Sequence, residues 1–238
     1  MTYKDTFRHI VFGFVLTLSM GASLAAAPVS TPEPAYLPLA ARYQEVRSDA
    51  DGHRHASGWH LTRHGQQVEF ARGGYVELWE RDERGEISWQ RIFHDQRKLI
   101  SYTPGELRTE HRVQSWDVLN TIIDASALKN LKRVEQARFQ NRVATRYRGI
   151  IGEEKVEVLW LEAERLPAEI TRRGKHGAYR LSLRELRASP ASGWPQADLA
   201  RAADYEYIDG SDLGDREYEP FVQQVVAMDE AHGGGHAH

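Results

Sequence analysis

Two blocks of residues alternate apolar and polar side chains with a period of two, and this pattern constrains the fold most. The first block covers residues 43–102, and its apolar runs are interrupted at His64-Gly65 and at 82–85. The second block runs from 143 to 184 and is interrupted by similar short breaks. Such alternation places apolar side chains on one face of a strand, and short breaks with glycine favour hairpins. The two blocks therefore predict antiparallel β-structure.

The residues between the two blocks have helical spacing. Ser115 precedes Trp116, Leu119, Ile122 and Ile123, which would share one face of a helix, and Asp124 precedes Leu128 and Leu131. Serine and aspartate are favoured N-caps. We therefore predict a helical insertion at about 115–131 and an α+β fold that is mainly antiparallel β.

The N-terminus has the order of segments found in secretory signal peptides. Lys4 and Arg8 precede an apolar run at 10–18, and small residues follow as far as Ala27. The apolar run is shorter than the ~20 residues that span a bilayer. We predict a cleaved signal peptide at 1–25, an extended proline-rich lead-in at 26–42, and a periplasmic protein with no membrane span in the mature chain. The alternative is an uncleaved anchor.

Composition and motifs exclude several classes of function. The chain has no cysteine, which excludes disulfides, thiolate metal sites and a cysteine nucleophile. Its 31 basic and 34 acidic residues give a net charge of −3, which argues against a nucleic-acid partner. The patterns G-x-S-x-G and H-E-x-x-H are absent, and the S-x-x-K match at Ser126–Lys129 lacks its usual companions. We therefore expect no enzymatic activity.

Three consecutive segments of the second block resemble a known family. They are 146–149 (Arg-Tyr-Arg-Gly), 155–161 (Lys-Val-Glu-Val-Leu-Trp-Leu) and 166–170 (Leu-Pro-Ala-Glu-Ile). Over roughly 43–187 the chain resembles the periplasmic lipoprotein-carrier superfamily, which includes LolA-like and LolB-like carriers and RseB-like sensors. The resemblance implies a curved, incompletely closed antiparallel sheet, an open barrel, that is covered by helices and holds acyl chains in the gap.

Aromatic residues of the strands and of the helical insertion are the candidate lining of such a cavity. Ligand pockets are mostly apolar with few polar groups. The alternative is that these side chains simply fill the core. The candidate ligand-binding residues are Trp79, Trp89, Phe93, Trp116, Leu119, Ile122 and Trp160, and the helix face is expected to lie across from Trp160 and Trp79.

Histidines give a second candidate site. His232, His236 and His238 close the chain in a Gly/His tail at 232–238, and neutral imidazole is a common metal ligand. We interpret the tail as a possible site for zinc, nickel or copper(II). The alternative is a solvated end that binds metal weakly. His53, His55, His60 and His64 form a second group, for which exposed strand and loop positions are the simpler interpretation.

An acidic extension covers 188–231. Its closely spaced carboxylates at 204–219 do not match a calcium-binding loop, so we expect a hydrated acidic loop. Three functions remain open: a carrier of an apolar or lipidic ligand with a membrane or lipoprotein partner, a metal-binding accessory protein, and a protein-interaction module.

Overall fold

Twelve strands form one sheet in the part of the chain that the computed structural model describes, residues 36–233. They are β1 (Leu39–Asp49), β2 (Arg54–His64), β3 (Gln67–Arg72), β4 (Tyr75–Arg81), β5 (Ile87–Phe93), β6 (Lys98–Tyr102), β7 (Lys132–Phe139), β8 (Arg142–Ile151), β9 (Glu154–Leu161), β10 (Leu166–Gly174), β11 (Gly177–Arg187) and β12 (Glu206–Asp209).

The sheet is open, because β12 and β7 are its two edges. The order across it is β12-β6-β5-β4-β3-β2-β1-β11-β10-β9-β8-β7, and only the β12–β6 pair is parallel. Strand twist makes an open sheet of this width curl. The predicted α+β fold, a curved and incompletely closed antiparallel sheet, is confirmed.

Both predicted breaks of the first block are hairpins. His64-Gly65 lies between β2 and β3, and 82–85 lies between β4 and β5. Gly65 and Gly85 have φ values of +59° and +82°, which glycine adopts without strain. The strand pattern was therefore readable from local sequence.

The first strand begins earlier than the predicted lead-in at 26–42 allows. Leu39 starts β1, and Ala40 and Ala41 are fully buried because β1 pairs with β2 on one side and β11 on the other. The lead-in therefore ends near Pro38. The predicted signal peptide at 1–25 lies outside the described residues.

The predicted helical insertion is two short helices, and a third precedes them. Ile122 ends the second helix with φ +67° in the left-handed region, so it does not continue the helix face of Trp116 and Leu119 as predicted. Asp124 caps the third helix by accepting from Ser126 N at 2.6 Å, whereas the Ser115 side chain makes no capping bond. The helices are α1 (Pro104–Thr109), α2 (Trp116–Thr121) and α3 (Ala125–Lys129), followed by α4 (Leu199–Ala202) and α5 (Pro220–Gly233).

The two faces of the sheet pack separately. We define the inner face as the one that contributes to the large core, with Trp59, Tyr75, Trp89, Tyr102 and Trp160 among its buried residues. The outer face of β3–β6 carries a smaller cluster, which the C-terminal segment completes. That cluster is Ala71, Val76, Leu78, Ile92, Leu99, Ala197, Ala202 and Tyr205.

The acidic extension predicted at 188–231 is part of the fold. Its first part covers the outer face, β12 extends the sheet beside β6, and α5 covers the inner face. Phe221 of α5 packs edge-on against Phe93, with ring centroids 4.9 Å apart. None of the helices within residues 36–233 has the length and apolarity needed to cross a membrane.

Candidate functional site

Stacked aromatic rings line the inner face of β4–β6. Trp79 and Trp89 are paired across β4 and β5 with centroids 4.9 Å apart, and Trp89 stacks on Tyr102 at 4.6 Å. Tyr75 stacks on Phe93 at 5.3 Å. These cross-strand pairs follow from the period-two alternation, which aims every second side chain at the same face.

The structure brings the seven predicted ligand-binding residues to this inner face. Six are buried in one cluster, and Ile122 packs against that cluster from a partly buried position. None of the seven lines the cavity of about 710 Å³ that lies at the outer face. That these residues border a ligand space therefore stays a prediction. The six buried ones are Trp79, Trp89, Phe93, Trp116, Leu119 and Trp160.

A buried arginine lies within the aromatic layer, and the sequence analysis missed it. Arg91 is only 1% exposed, although it is the residue between Trp89 and Phe93 on the inward register of β5. Its guanidinium carbon is 5.1 Å from the Tyr75 ring centroid, 5.3 Å from that of Trp89 and 5.7 Å from that of Phe93. The available signal was the alternation itself, because Trp89, Arg91 and Phe93 must share one face.

The partner of this arginine comes from the C-terminal helix. Arg91 Nη1 is 2.8 Å from Asp229 Oδ1, and Arg112 Nη1 is 3.2 Å from Asp229 Oδ2. Burial alone would lower the pKa of Arg91, but the Asp229 carboxylate together with Tyr75, Tyr102 and Glu77 outweighs burial and holds that pKa above its usual value. Asp229 therefore fixes the cation and fastens α5 over the inner face.

Several buried donors on this face have no acceptor. Within the described residues, Trp59 Nε1, Trp89 Nε1, Arg72 Nε and Arg91 Nε make no hydrogen bond. An unpaired buried donor costs about 1–3 kcal/mol, so groups of them are uncommon. The inner face therefore holds donors that its own residues leave unpaired.

A second buried arginine holds one border of the inner face together. Arg63 donates from Nε to Leu37 O at 2.9 Å, from Nη1 to Asn120 O at 2.6 Å, and to Glu164 O. Burial lowers the pKa of Arg63 to about 10, which leaves it charged at neutral pH. All of its hydrogen-bond acceptors are backbone carbonyls of separate segments, so its role is to position α2 and the β9–β10 turn.

A cavity of about 710 Å³ forms a groove on the outer face. Its floor is the outer face of β2–β4, and its wall is the segment 193–201. Sequence reasoning did not find it, because the strands and the wall are separated by more than 100 residues of chain. We call it the outer groove; its lining side chains include His60, Glu69, His94, Asp95, Trp194 and Arg201.

The four histidines at 53–64 do not form one site. His53 Nδ1 lies 3.0 Å from Asp49 Oδ2 in the β1–β2 turn, whereas His60 packs against Trp194. Asp49, Asp51 and His53 hold ligand-type atoms within 4.8 Å of one another, and all three are exposed. Residues 236 and 238 and the side chain of His232 lie outside the described part, so tail metal binding stays a prediction.

The acidic segment at 204–219 uses its carboxylates for internal bonds. Arg216 is paired with Glu206 at 2.5 Å and with Glu219 at 2.7 Å, and Glu206 also pairs with Lys98 at 2.5 Å. Asp209 Oδ1 accepts from Ser211 N at 3.0 Å. These pairs tie the C-terminal segment to β6.

Comparison with known proteins gives distant likenesses of fold. No protein-family model matches the chain, and no curated protein matches it. PNGF-II has a TM-score of 0.42 at 9% identity, over 75% of this chain and 32% of its own. The MucA/MucB complex of Pseudomonas aeruginosa has a TM-score of 0.35 at 15% identity, over 68% of this chain and 54% of the matched chain.

A LolA superfamily protein from Nitrosomonas europaea has a TM-score of 0.25 at 8% identity, over 65% of this chain and 87% of its own. This chain spans about a third of PNGF-II (32%) and about half of the matched MucA/MucB chain (54%). These likenesses are of low identity and concern the fold alone.

Proposed function

We propose that the protein is an exported, non-enzymatic carrier or binding protein for a lipidic ligand, held between the inner face of the sheet and the helices that cover it. The observation that carries the proposal is the set of buried donors without acceptors in an aromatic layer. The acyl chain would lie along the aromatic layer, and an anionic headgroup would accept from the buried arginine.

The charge of the layer supports an anionic headgroup. Arg91 is buried among three rings, and Asp229 of α5 is the carboxylate that compensates it. A buried cation requires an anion, since an uncompensated one costs several kcal/mol. A carboxylate headgroup has the charge and acceptor geometry of Asp229, and a phosphate headgroup also offers anionic oxygen acceptors, so either can replace this side chain.

The covering elements give the ligand a way in. Helix α5 is the last element described, and it contacts the inner face through Phe221, Val222, Val225 and Met228. Displacement of α5 would uncover the aromatic layer and break the Arg91–Asp229 pair at the same time. Ligand binding and α5 docking are therefore expected to compete.

The test is uptake of a dansyl-labelled fatty acid and of its methyl ester by protein freed of bound lipid. We expect the acid to bind about tenfold more tightly than the ester, since a charge-assisted hydrogen bond contributes about 1.5–3 kcal/mol. Asp229→Asn should tighten binding of the acid by removing its internal competitor. Arg91→Met should remove the preference for the acid.

The two variants have opposite expected effects, so a general loss of stability cannot imitate the result. Circular dichroism of each variant checks folding. Absence of uptake of both probes by the wild type and by Asp229→Asn would overturn the proposal and leave a protein-interaction module as the better interpretation. Equal binding of acid and ester by the wild type would overturn the headgroup assignment.

A further inference from the structure

The outer groove is separate from the lipid site, because it lies on the opposite side of the sheet. Side chains of β3 alternate between the two faces: Phe70 is in the inner core, while Glu69 and Ala71 face the groove. The guanidinium of Arg72 stacks over the Trp59 ring at 5.0 Å and therefore belongs to the inner face. Tyr75 and Arg72, next to the β3–β4 turn, also border the groove, whereas Trp79, Trp89, Phe93 and Tyr102 of the aromatic layer do not.

The groove wall is fixed to the sheet on both sides of the opening. Ala197 N donates to Glu69 Oε2 at 2.9 Å. The ring of His94 is bonded on both sides, since Nε2 is 2.9 Å from Gln196 O and Nδ1 is 3.0 Å from Tyr205 Oη. Ala197, Ala202 and Tyr205 are buried against the outer face. Segment 193–196 borders the groove and leaves its volume open. A preformed site binds at a lower entropic cost than one that must be ordered.

The aromatic side chain of Trp194 lies at the opening of the groove. Trp194 is partly exposed, whereas the other five tryptophans of the chain are buried. Its ring tilts against His60 with centroids 4.6 Å apart. Across the groove, Gly73 and Gly74 form the β3–β4 turn with φ values of +49° and +96°, and a Cβ at either would meet no atom within 4 Å. The turn therefore leaves the backbone accessible to a ligand.

The polar groups of the groove are mainly acceptors with negative charge. Three carboxylates, those of Glu69, Asp95 and Asp198, line it together with two arginines, Arg72 and Arg201, and the Arg72 guanidinium lies over the Trp59 ring of the inner face. Burial lowers the pKa of His60, so this side chain is neutral at pH 7 and adds no positive charge. An anionic ligand would be repelled, while hydroxyl or ammonium donors would find acceptors.

We infer that the outer groove binds a saccharide without negative charge. The apolar C–H face of a pyranose ring would stack on the Trp194 indole, and the ring hydroxyls would donate to the carboxylates. The cavity of about 710 Å³ is large enough for a disaccharide.

Cellobiose and cellobiouronic acid are matched probes, because they share two pyranose rings and differ by one carboxylate. Saturation-transfer NMR reports ring contact with the protein, and acrylamide quenching reports Trp194, the partly exposed tryptophan. We expect cellobiose to receive saturation and to protect Trp194 from acrylamide. Cellobiouronic acid should do so at least fivefold more weakly.

Trp194→Ala tests stacking on the indole, and Tyr218→Ala, at an 83% exposed residue outside the groove lining, is the matched control. We expect the transfer to cellobiose to disappear in Trp194→Ala and to persist in Tyr218→Ala. Absence of transfer to cellobiose in the wild type would overturn the inference. Equal transfer in wild type and Trp194→Ala, or equal transfer to the two sugars, would also overturn it. The fatty-acid assay is unaffected by any of these outcomes, so the two proposals fail independently.

Discussion

Arg91 Nη1 of β5 and Asp229 Oδ1 of α5 lie 2.8 Å apart, and this contact joins residues separated by 138 positions in the chain. The arginine is 1% exposed, whereas the aspartate side chain is 30% exposed. The pair is therefore accessible from the helix side alone. Its strength controls how firmly α5 stays on the aromatic layer.

Asp229→Asn should lower the free energy of unfolding by about 2–4 kcal/mol, because it leaves the buried Arg91 without a full counter-charge. Chemical denaturation measures this loss, and hydrogen exchange should localise it to α5. Glu230→Gln is the matched control, since Glu230 is the next residue of the same helix and is exposed. Equal losses in both variants would mean that helix charge, and not the ion pair, holds α5 in place.

Leu119→Gln should weaken uptake of the dansyl fatty acid and cost less stability than Leu181→Gln. Leu119 is 5% exposed at the covering helix α2, while Leu181 is fully buried in β11. A polar group in a packed core costs about 3 kcal/mol or more, and one beside a ligand space can be hydrated. Unfolding by Leu119→Gln, with no uptake in the wild type, would mean that side chains fill the space.

Gly210→Ala should destabilise the protein by about 1–3 kcal/mol, because a Cβ there would collide with the fully buried ring of Tyr102. Gly214→Ala is the matched control, since a Cβ at Gly214 has no atom within 4 Å. Neither glycine has positive φ, so backbone strain does not enter. Thermal unfolding should separate the two; equal melting temperatures would contradict the close packing of the C-terminal segment on β6.

The free energy of unfolding of the Glu69→Gln variant should increase relative to that of the wild type as pH rises. Burial raises the pKa of Glu69 above 4.5, although the hydrogen bond from Ala197 N opposes this. A group whose folded pKa is raised contributes stability below its unfolded pKa and loses it as pH rises through the folded value. Glutamine still accepts from Ala197 N and carries no charge. Denaturation between about pH 4 and about pH 7 tests this, and a pH-independent difference would contradict it.

Deletion of residues 232–238 should abolish weak binding of nickel or zinc without changing the melting temperature, if the tail histidines are the ligands. His53→Ala is the comparison, because Asp49, Asp51 and His53 are the group of metal-ligand type among the described residues. Isothermal titration calorimetry counts the sites. Unchanged stoichiometry after the deletion, with a loss in His53→Ala, would move the site to the β1–β2 turn.

Local patterns in the sequence predicted where the strands lie. They did not predict which strands pair when those strands are far apart in the chain. Alternation predicts which residues of β5 face inward, and it places Arg91 there as firmly as Trp89. In the parallel pair of β12 and β6, Ile208 lies beside Ile100, and the four paired residues of β12 are more than a hundred positions from their partners in β6. No local pattern specifies such a contact, so the segment after 188 reads as a separate extension.

Helix α1 could have been predicted from the capping box at its start, but the same residues were interpreted as the end of a strand. Thr103 accepts from Glu106 N, and the Glu106 side chain accepts from Thr103 N, which is a capping box. The same four residues, Thr-Pro-Gly-Glu, also look like a turn that ends a strand. The outer groove had no such signal, since its floor and its wall meet only in the folded chain.

The edge strand β7 has a consequence for how molecules of this protein meet each other. One edge of β7 pairs with β8, and the other edge pairs with no strand in the described part of the chain. Most residues of β7 are exposed. Lys132, Arg133 and Arg138 lie along it, and its one acidic residue, Glu135, is paired with Arg146 of β8. A second molecule that added its own β7 there would bring like charges together and dehydrate them, which opposes edge-to-edge growth. The sheet can thus stay open at this border without becoming a template for aggregation.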